Sequence, residues 1–290
     1  MWASIFIVSP VTTSQIQLLQ SMLGGPGVTI SNITYNGSSL PTVWNNIGTF
    51  TTGSTPTNLG ITSGLILSTG GVSGAVGPNN SGSFGIALTP STPDLGDSDL
   101  YALVGSSVSN LHDASVLEFD FIPATDTIKF RYVFGSEEYP EYITSYNDVF
   151  AFFISGPNPA GGLYNKKNIA ILPTTNTNND YVSIYNVNNG VTNTGPCKNC
   201  VYYINNIGDS SLQADAHTTV LTAWAHIVPC QKYHFKLAIA DANDRILDSW
   251  VWLDAGTYYG GALAGQSTVC QGQQNFPLCF CRKRWSIHRR

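Results

Sequence analysis

The stretch FGSEEYPEY, residues 134–142, sets Glu137, Glu138 and Glu141 within five positions of a chain that is only 11% charged. Crowded carboxylates repel one another, and burial without a partner penalises each of them further. A shared hard cation removes that penalty. Hydrogen bonds from loop amides and ion pairs with arginine also remove it. Two more acidic stretches offer oxygens: DLGDSD, with Asp94, Asp97 and Asp99, and DANDRILD, with Asp241, Asn243, Asp244 and Asp248. Calcium takes roughly six to eight oxygens from carboxylates, amides, carbonyls and water, which loops at one end of a sheet can supply. The expected ligands are Glu138, Asp148, Asp241 and Asp244, followed by Asp97 and Asp99. None of the loops has the ligand spacing of an EF-hand.

Two other readings compete. In one, Glu137 or Glu138 caps loop amides or pairs with Arg131 or Arg245, and Glu141 stays in water. In the other, Tyr139 and Tyr142, flanked by Glu137 and Glu141, contact a protein partner or a sugar ring, which tyrosine suits by its apolar face and polar tip. Trp44, Trp224, Trp250 and Trp252 widen the choice of platform. Trp250 and Trp252 share a strand face, where packing in the core is the default.

Catalysis has little behind it. A glycosidase needs two carboxyls at a defined separation, but here abundance alone supplies pairs and nothing separates an acid from a nucleophile. His112, His217, His226, His234 and His288 are scattered, and the sequence has no G-x-S-x-G, H-E-x-x-H or P-loop pattern.

The charge distribution narrows the partners. The formal net charge is −5, no Lys or Arg precedes Lys129, and five of the thirteen basic residues fall in the last nine positions. The rest of the chain therefore sets 8 basic against 18 acidic residues. A nucleic-acid reader needs a basic face, so that class is excluded and cations become the more natural ligands. No run reaches the roughly 18 apolar residues of a membrane span. WASIFIV at the N-terminus reads as a first strand, or else as the remnant of a signal peptide.

Of the six cysteines, Cys197 and Cys200 form a C-x2-C pair that fits half a zinc knuckle, but Cys279 and Cys281 give it no proper second half. A disulfide is the better reading, with Cys230 as the partner of Cys197 or Cys200, and it implies an oxidising compartment.

These residues must be positioned by short strands. TTSQIQLLQSMLGGPG reads as one amphipathic helix, capped by Thr13 or Ser14 and ended at Gly24-Gly25. SVLEFDFIP and TIKFRYVF alternate cleanly with period two. DVFAFFISG is apolar throughout and so more central. PDLGDSDLYALVG suggests a helical turn or two. NIAILP, YVSIYNV, VYYINN, HTTVLTAWAHIV, YHFKLAIAD and SWVWLDAG continue the strand pattern, and VTISNITYNG, IGTFTTG and ITSGLILSTGGV begin it. The expected class is all-β: an antiparallel sandwich or jelly roll with one short N-terminal helix and long loops. Residues 1–259 form the module, and 260–290 read as linker and tail.

The run FGSEEYPEYITSYNDVFAFFISGP, followed by YHFKLAIADANDRILDSWVWLDAGTY, resembles the choice-of-anchor L domain. LLQSMLGGPGVTISNITYNG, ITSGLILSTGGV, GDSDLYAL, DASVLEFDFIP and NIAILP fall in the family's order, together covering roughly residues 14 to 259. The resemblance implies a β-rich module of secreted bacterial surface proteins, often part of a larger anchored protein, with no enzymatic activity to carry over. Asn243, Arg245 and Trp250 stand where the family has glycines, and Asp254 where it has glutamate. An arginine beside the acidic loop would neutralise it. The ending CFCRKRWSIHRR matches no anchoring signal. The expected role is structural or adhesive, at the cell surface or secreted, with calcium at the acidic loops. The alternative is a carbohydrate-binding domain using the acidic, tyrosine-rich end.

Overall fold

A computed structural model describes residues 7–10, 28–39, 45–53, 57–87, 96–105, 109–173 and 181–255. The expected N-terminal helix, Asp94, Trp44 and the tail beyond residue 260 lie outside them.

Two antiparallel sheets face each other. Sheet A runs β1 (Ile7–Pro10), β4 (Ile47–Thr51), β5 (Ser63–Ser68), β15 (Ser249–Asp254), β7 (Thr127–Ser136), β12 (Ala216–Thr218) and β11 (Tyr203–Asn205), with β13 (Leu221–His226) also on β7. Sheet B runs β10 (Val182–Ser183), β8 (Val149–Pro157), β14 (Tyr233–Ala242), β6 (Leu111–Ile122), β2 (Thr29–Tyr35) and β3 (Ser38–Ser39), with β9 (Leu163–Asn168) on the flank of β8. The sandwich expected from the sequence is what forms.

Alternation decides what each face buries. On β7, Ile128, Phe130, Tyr132 and Phe134 point between the sheets, against Phe119, Phe150, Phe152 and Phe235 of sheet B. The rings interlock: Phe130 and Phe152 stack at 5.3 Å, and Phe119 stacks on Phe235 at 5.6 Å. The opposite face of sheet A also carries a core. Trp250 and Trp252 are fully buried there with Val133, Phe50 and Leu59. A short helix, α1 (Ser98–Val104), covers the outer face of sheet B over Ala238, Ala240 and Val149.

Several strand expectations shift. The strand precedes NIAILP and runs through LYNKKN, because lysine and asparagine suit the exposed edge that β9 occupies. YVSIYNV pairs over only two residues before turning.

Register fixes the two ends of sheet A. Ile7 pairs Thr51, Thr51 pairs Ser63, and Gly64 pairs Asp254, so these residues form one end. At the other end Ser136 pairs both Ser249 and Ala216. The glutamate loop begins there.

Candidate functional site

Ser136 closes β7, and the next two residues continue the alternation onto opposite faces. The Glu137 amide donates to the Asp248 carbonyl (3.1 Å), and the Asp215 amide donates to the Ser136 carbonyl (3.1 Å), so strand-like pairing extends one step past the sheet. The Glu138 amide then donates to Ser136 Oγ at 2.9 Å, which starts the turn through Tyr142.

Glu138 belongs to the inner side, between the sheets. Asp148, which leads into β8, reaches across: its Oδ2 accepts from Ser249 Oγ on sheet A at 2.6 Å, and its Oδ1 accepts from the Ala242 amide at 3.0 Å. Asp241, near the end of β14, lies close to Asp148, whose charge disfavours its ionised form, and to Thr69, which favours it. Glu138, Asp148 and Asp241 are buried to 0%, 1% and 2% exposure. Burial pushes all three carboxyls upward, and the neighbouring carboxylates push Glu138 and Asp241 further. Both side-chain oxygens of Glu138, and Oδ1 of Asp241, complete no hydrogen bond within the protein. Asp244 lies at the rim, half-buried, and acts electrostatically on Glu138 and Asp148.

Four of the six expected ligands are therefore neighbours at one end of the sandwich. Asp97 and Asp99 are elsewhere. Asp97 caps α1 by accepting from the Asp99 and Leu100 amides, and Lys236 Nζ reaches Asp97 at 2.5 Å and Asp99 at 2.8 Å. Lys166 binds Asp99 at 2.8 Å. With two lysines already neutralising them, these aspartates serve as a helix cap and ion pairs. A cavity of about 210 Å³ beside them is lined by Asn36, Ala114, Glu118 and Lys236.

The arginines do not neutralise the cluster. Arg245 forks onto Asp113 at 2.8 and 3.2 Å, and Arg131 pairs with Asp254 at 2.7 Å. The capping alternative holds for one residue: Glu137 Oε2 accepts from the Phe84 amide at 3.2 Å.

Two of the four expected surface contacts are corrected. Tyr139 is buried, because its hydroxyl donates to the Val187 carbonyl at 2.7 Å and its ring meets Tyr203 edge-on. Glu137 is buried beneath the Phe84 loop. Glu141 and Tyr142 stay exposed, and Tyr142 packs edge-on against Tyr146 with centroids 5.7 Å apart. Cys197 and Cys200 are bonded to each other rather than to Cys230, since Asn199 in the left-handed conformation turns the chain tightly enough to set their Cα atoms 5.2 Å apart. Cys230 is itself disulfide-bonded.

Among the described residues no three His, Cys, Asp or Glu side chains are already gathered as a finished metal shell, and no helix is long and apolar enough to cross a membrane. The inner carboxylates form a row of neighbours with unfilled oxygens.

Sequence reasoning missed Asp215 and undervalued Asp248, whose roles depend on the strand order β12–β7–β15 rather than on nearness in the chain. Neither a curated protein nor a solved structure gave a significant match. The family model of the Choice-of-anchor L domain matches residues 7–259, which include both sheets and the glutamate turn. The chain therefore belongs to the choice-of-anchor L family, and it is a surface-associated module.

Proposed function

We propose that the module is a non-catalytic structural or adhesive unit of a secreted or cell-surface bacterial protein, part of a larger anchored chain, whose glutamate end is braced by calcium. Glu138, Asp148 and Asp241 would hold the ion between the sheets, with Asp244 at the rim. The observation that carries this reading is Glu138, fully buried with neither carboxyl oxygen hydrogen-bonded. Protonation would remove that one charge but leave those of the neighbouring carboxylates. A divalent cation answers both the charge and the unfilled oxygens. By joining groups from the ends of both sheets, it would stiffen that end.

The test is thermal unfolding in EDTA and then in 10 mM Ca2+. Extracellular calcium modules bind at roughly 10⁻⁴ to 10⁻³ M. A hundredfold excess over Kd stabilises by about 2.7 kcal/mol, which for this size is a rise of roughly 5–10 °C. Glu138→Gln should remove this site's share of the rise while folding in EDTA at least as well as the parent. An unchanged midpoint in calcium would overturn the reading.

A second reading, carbohydrate binding, rests on exposed Tyr142, packed edge-on against half-buried Tyr146 and next to Glu141. Sugar binding that survives EDTA and is lost in Tyr142→Ala would favour it.

A further inference from the structure

A second group of carboxylates lies on the other side of sheet A, and nothing in the calcium reading above uses it. Pairing of Ser136 with Ala216 and Ser249, extended one step by the amide bonds beyond it, sets Glu137 directly opposite both Asp215 and Asp248. The three acids form a single row across the ends of β12, β7 and β15, on the face that also buries Trp250 and Trp252. Like charges directly opposite one another on a sheet are destabilising. These acids are also cut off from water, with 0%, 2% and 4% of Glu137, Asp215 and Asp248 exposed.

The loop over residues 77–87 covers the row. It is held down by its targets: the Phe84 amide donates to Glu137 Oε2 (3.2 Å), the Ile86 amide to Asp248 Oδ2 (2.8 Å), and Asn79 Nδ2 to Asp215 Oδ1 (2.9 Å). Gln213 Nε2 donates to the Ser81 carbonyl at 3.2 Å, and its amide also lies close enough to favour the ionised form of Glu137. Even so, Glu137 Oε1 completes no hydrogen bond. The loop amides satisfy one side of the row and leave a buried oxygen between two further carboxylates.

We infer that the row Glu137–Asp215–Asp248 is a second cation site, independent of the one between the sheets, taking a hard divalent ion such as calcium and fastening the 77–87 loop to sheet A. A proton on Oε1 would neutralise Glu137 but leave the charges of Asp215 and Asp248 in the row. A basic side chain from a partner would have to displace the loop to reach the row, whereas a bare ion would not. The residues fit the ion chemically: three carboxylates supply oxygen donors suited to a hard cation. The site is not a preassembled shell, since among the described residues no acidic trio is already drawn to one point. An ion would gather the side chains.

The experiment counts bound Ca2+ per protein by native mass spectrometry in CaCl2 titrations and follows cleavage within 77–87 by limited proteolysis. The parent protein should bind two ions, Glu137→Gln one and Glu138→Gln one. Glutamine retains an oxygen to accept from the Phe84 amide, so the fold should persist. Calcium should slow cleavage of the loop at least tenfold in the parent and in Glu138→Gln, but not in Glu137→Gln. If Glu138→Gln changes nothing while Glu137→Gln still loses an ion, the outer site stands and the inner reading fails. Unchanged stoichiometry in Glu137→Gln overturns the proposal. Parent cleavage that calcium does not slow overturns it without recourse to any substitution.

Discussion

Removing divalent ions and raising the pH should destabilise this protein. The magnitude follows from the outer row. Burial, then the Asp215 charge, pushes the Glu137 carboxyl from 4.5 up to about 9. Burial pushes Asp248 from 3.8 to about 8, with Asp113 and Asp148 adding to it. An acid whose folded pKa is raised costs nothing below its unfolded value, and its cost grows with pH until the folded value is passed. Between pH 7 and 8 the unfolded chain has both groups ionised. The folded chain holds the Glu137 proton throughout and most of the Asp248 proton, a difference of nearly two protons. At about 1.4 kcal/mol per proton per pH unit, stability in EDTA should fall by about 2 kcal/mol, which is roughly 4–8 °C in midpoint. The upward shifts at Glu138, Asp148 and Asp241 act in the same direction. His217, pushed down by burial, binds fewer protons folded than unfolded and so opposes the trend, but only slightly this far above the ordinary histidine value. Calcium bound as proposed should reverse the trend, because a bound metal would displace the protons and its affinity would grow with pH. Differential scanning calorimetry at pH 7 and 8, with EDTA and with calcium, reads both effects. A midpoint in EDTA that is flat or rises from pH 7 to 8 would refute the reasoning.

Two other outcomes follow from packing and covalent structure. Trp252→Ala should cost about 3–5 kcal/mol in chemical denaturation, the range for truncating a fully buried aromatic, and should do so although Trp252 lies outside the layer between the sheets. Cys197→Ser should cost no more than about 2 kcal/mol, since the Cys197–Cys200 bridge closes a loop of sequence separation 3 and so removes little chain entropy.

The parts of this fold that were legible in the sequence were those set by local periodicity. The alternation in TIKFRYVF reproduces the inner and outer faces of β7, and the unbroken apolar run of DVFAFFISG reflects a strand packed on both sides, between the main core and α1. The site was half legible. Glu138, Asp148 and Asp241 stood out because each ends or begins a strongly patterned strand. That Glu137 and Glu138 face opposite ways also follows from period two, yet reading the segment as a loop hid it. Asp215 had no local signal: only the order β12–β7–β15 brings it beside Glu137. Asp97 and Asp99 looked like ligands because D-x-D is common. Their lysine partner, Lys236, lies more than a hundred residues away on β14. LYNKKN was missed as a strand, the expectation falling on NIAILP instead, because an edge strand needs no apolar face.

The shared end of β1, β4, β5 and β15 bears on how the module hangs from its chain. The polypeptide enters at Ile7 and leaves after Asp254 at the same end of sheet A, three strand spacings or about 14 Å apart. Ser249 and the carboxylates lie at the far end of β15, about 17 Å away along the strand. A unit tied at one end in this way is a pendant rather than a link. A force applied at those two points would pass between β1 and β15 at their shared end and would not load the glutamate end at the far end of β15.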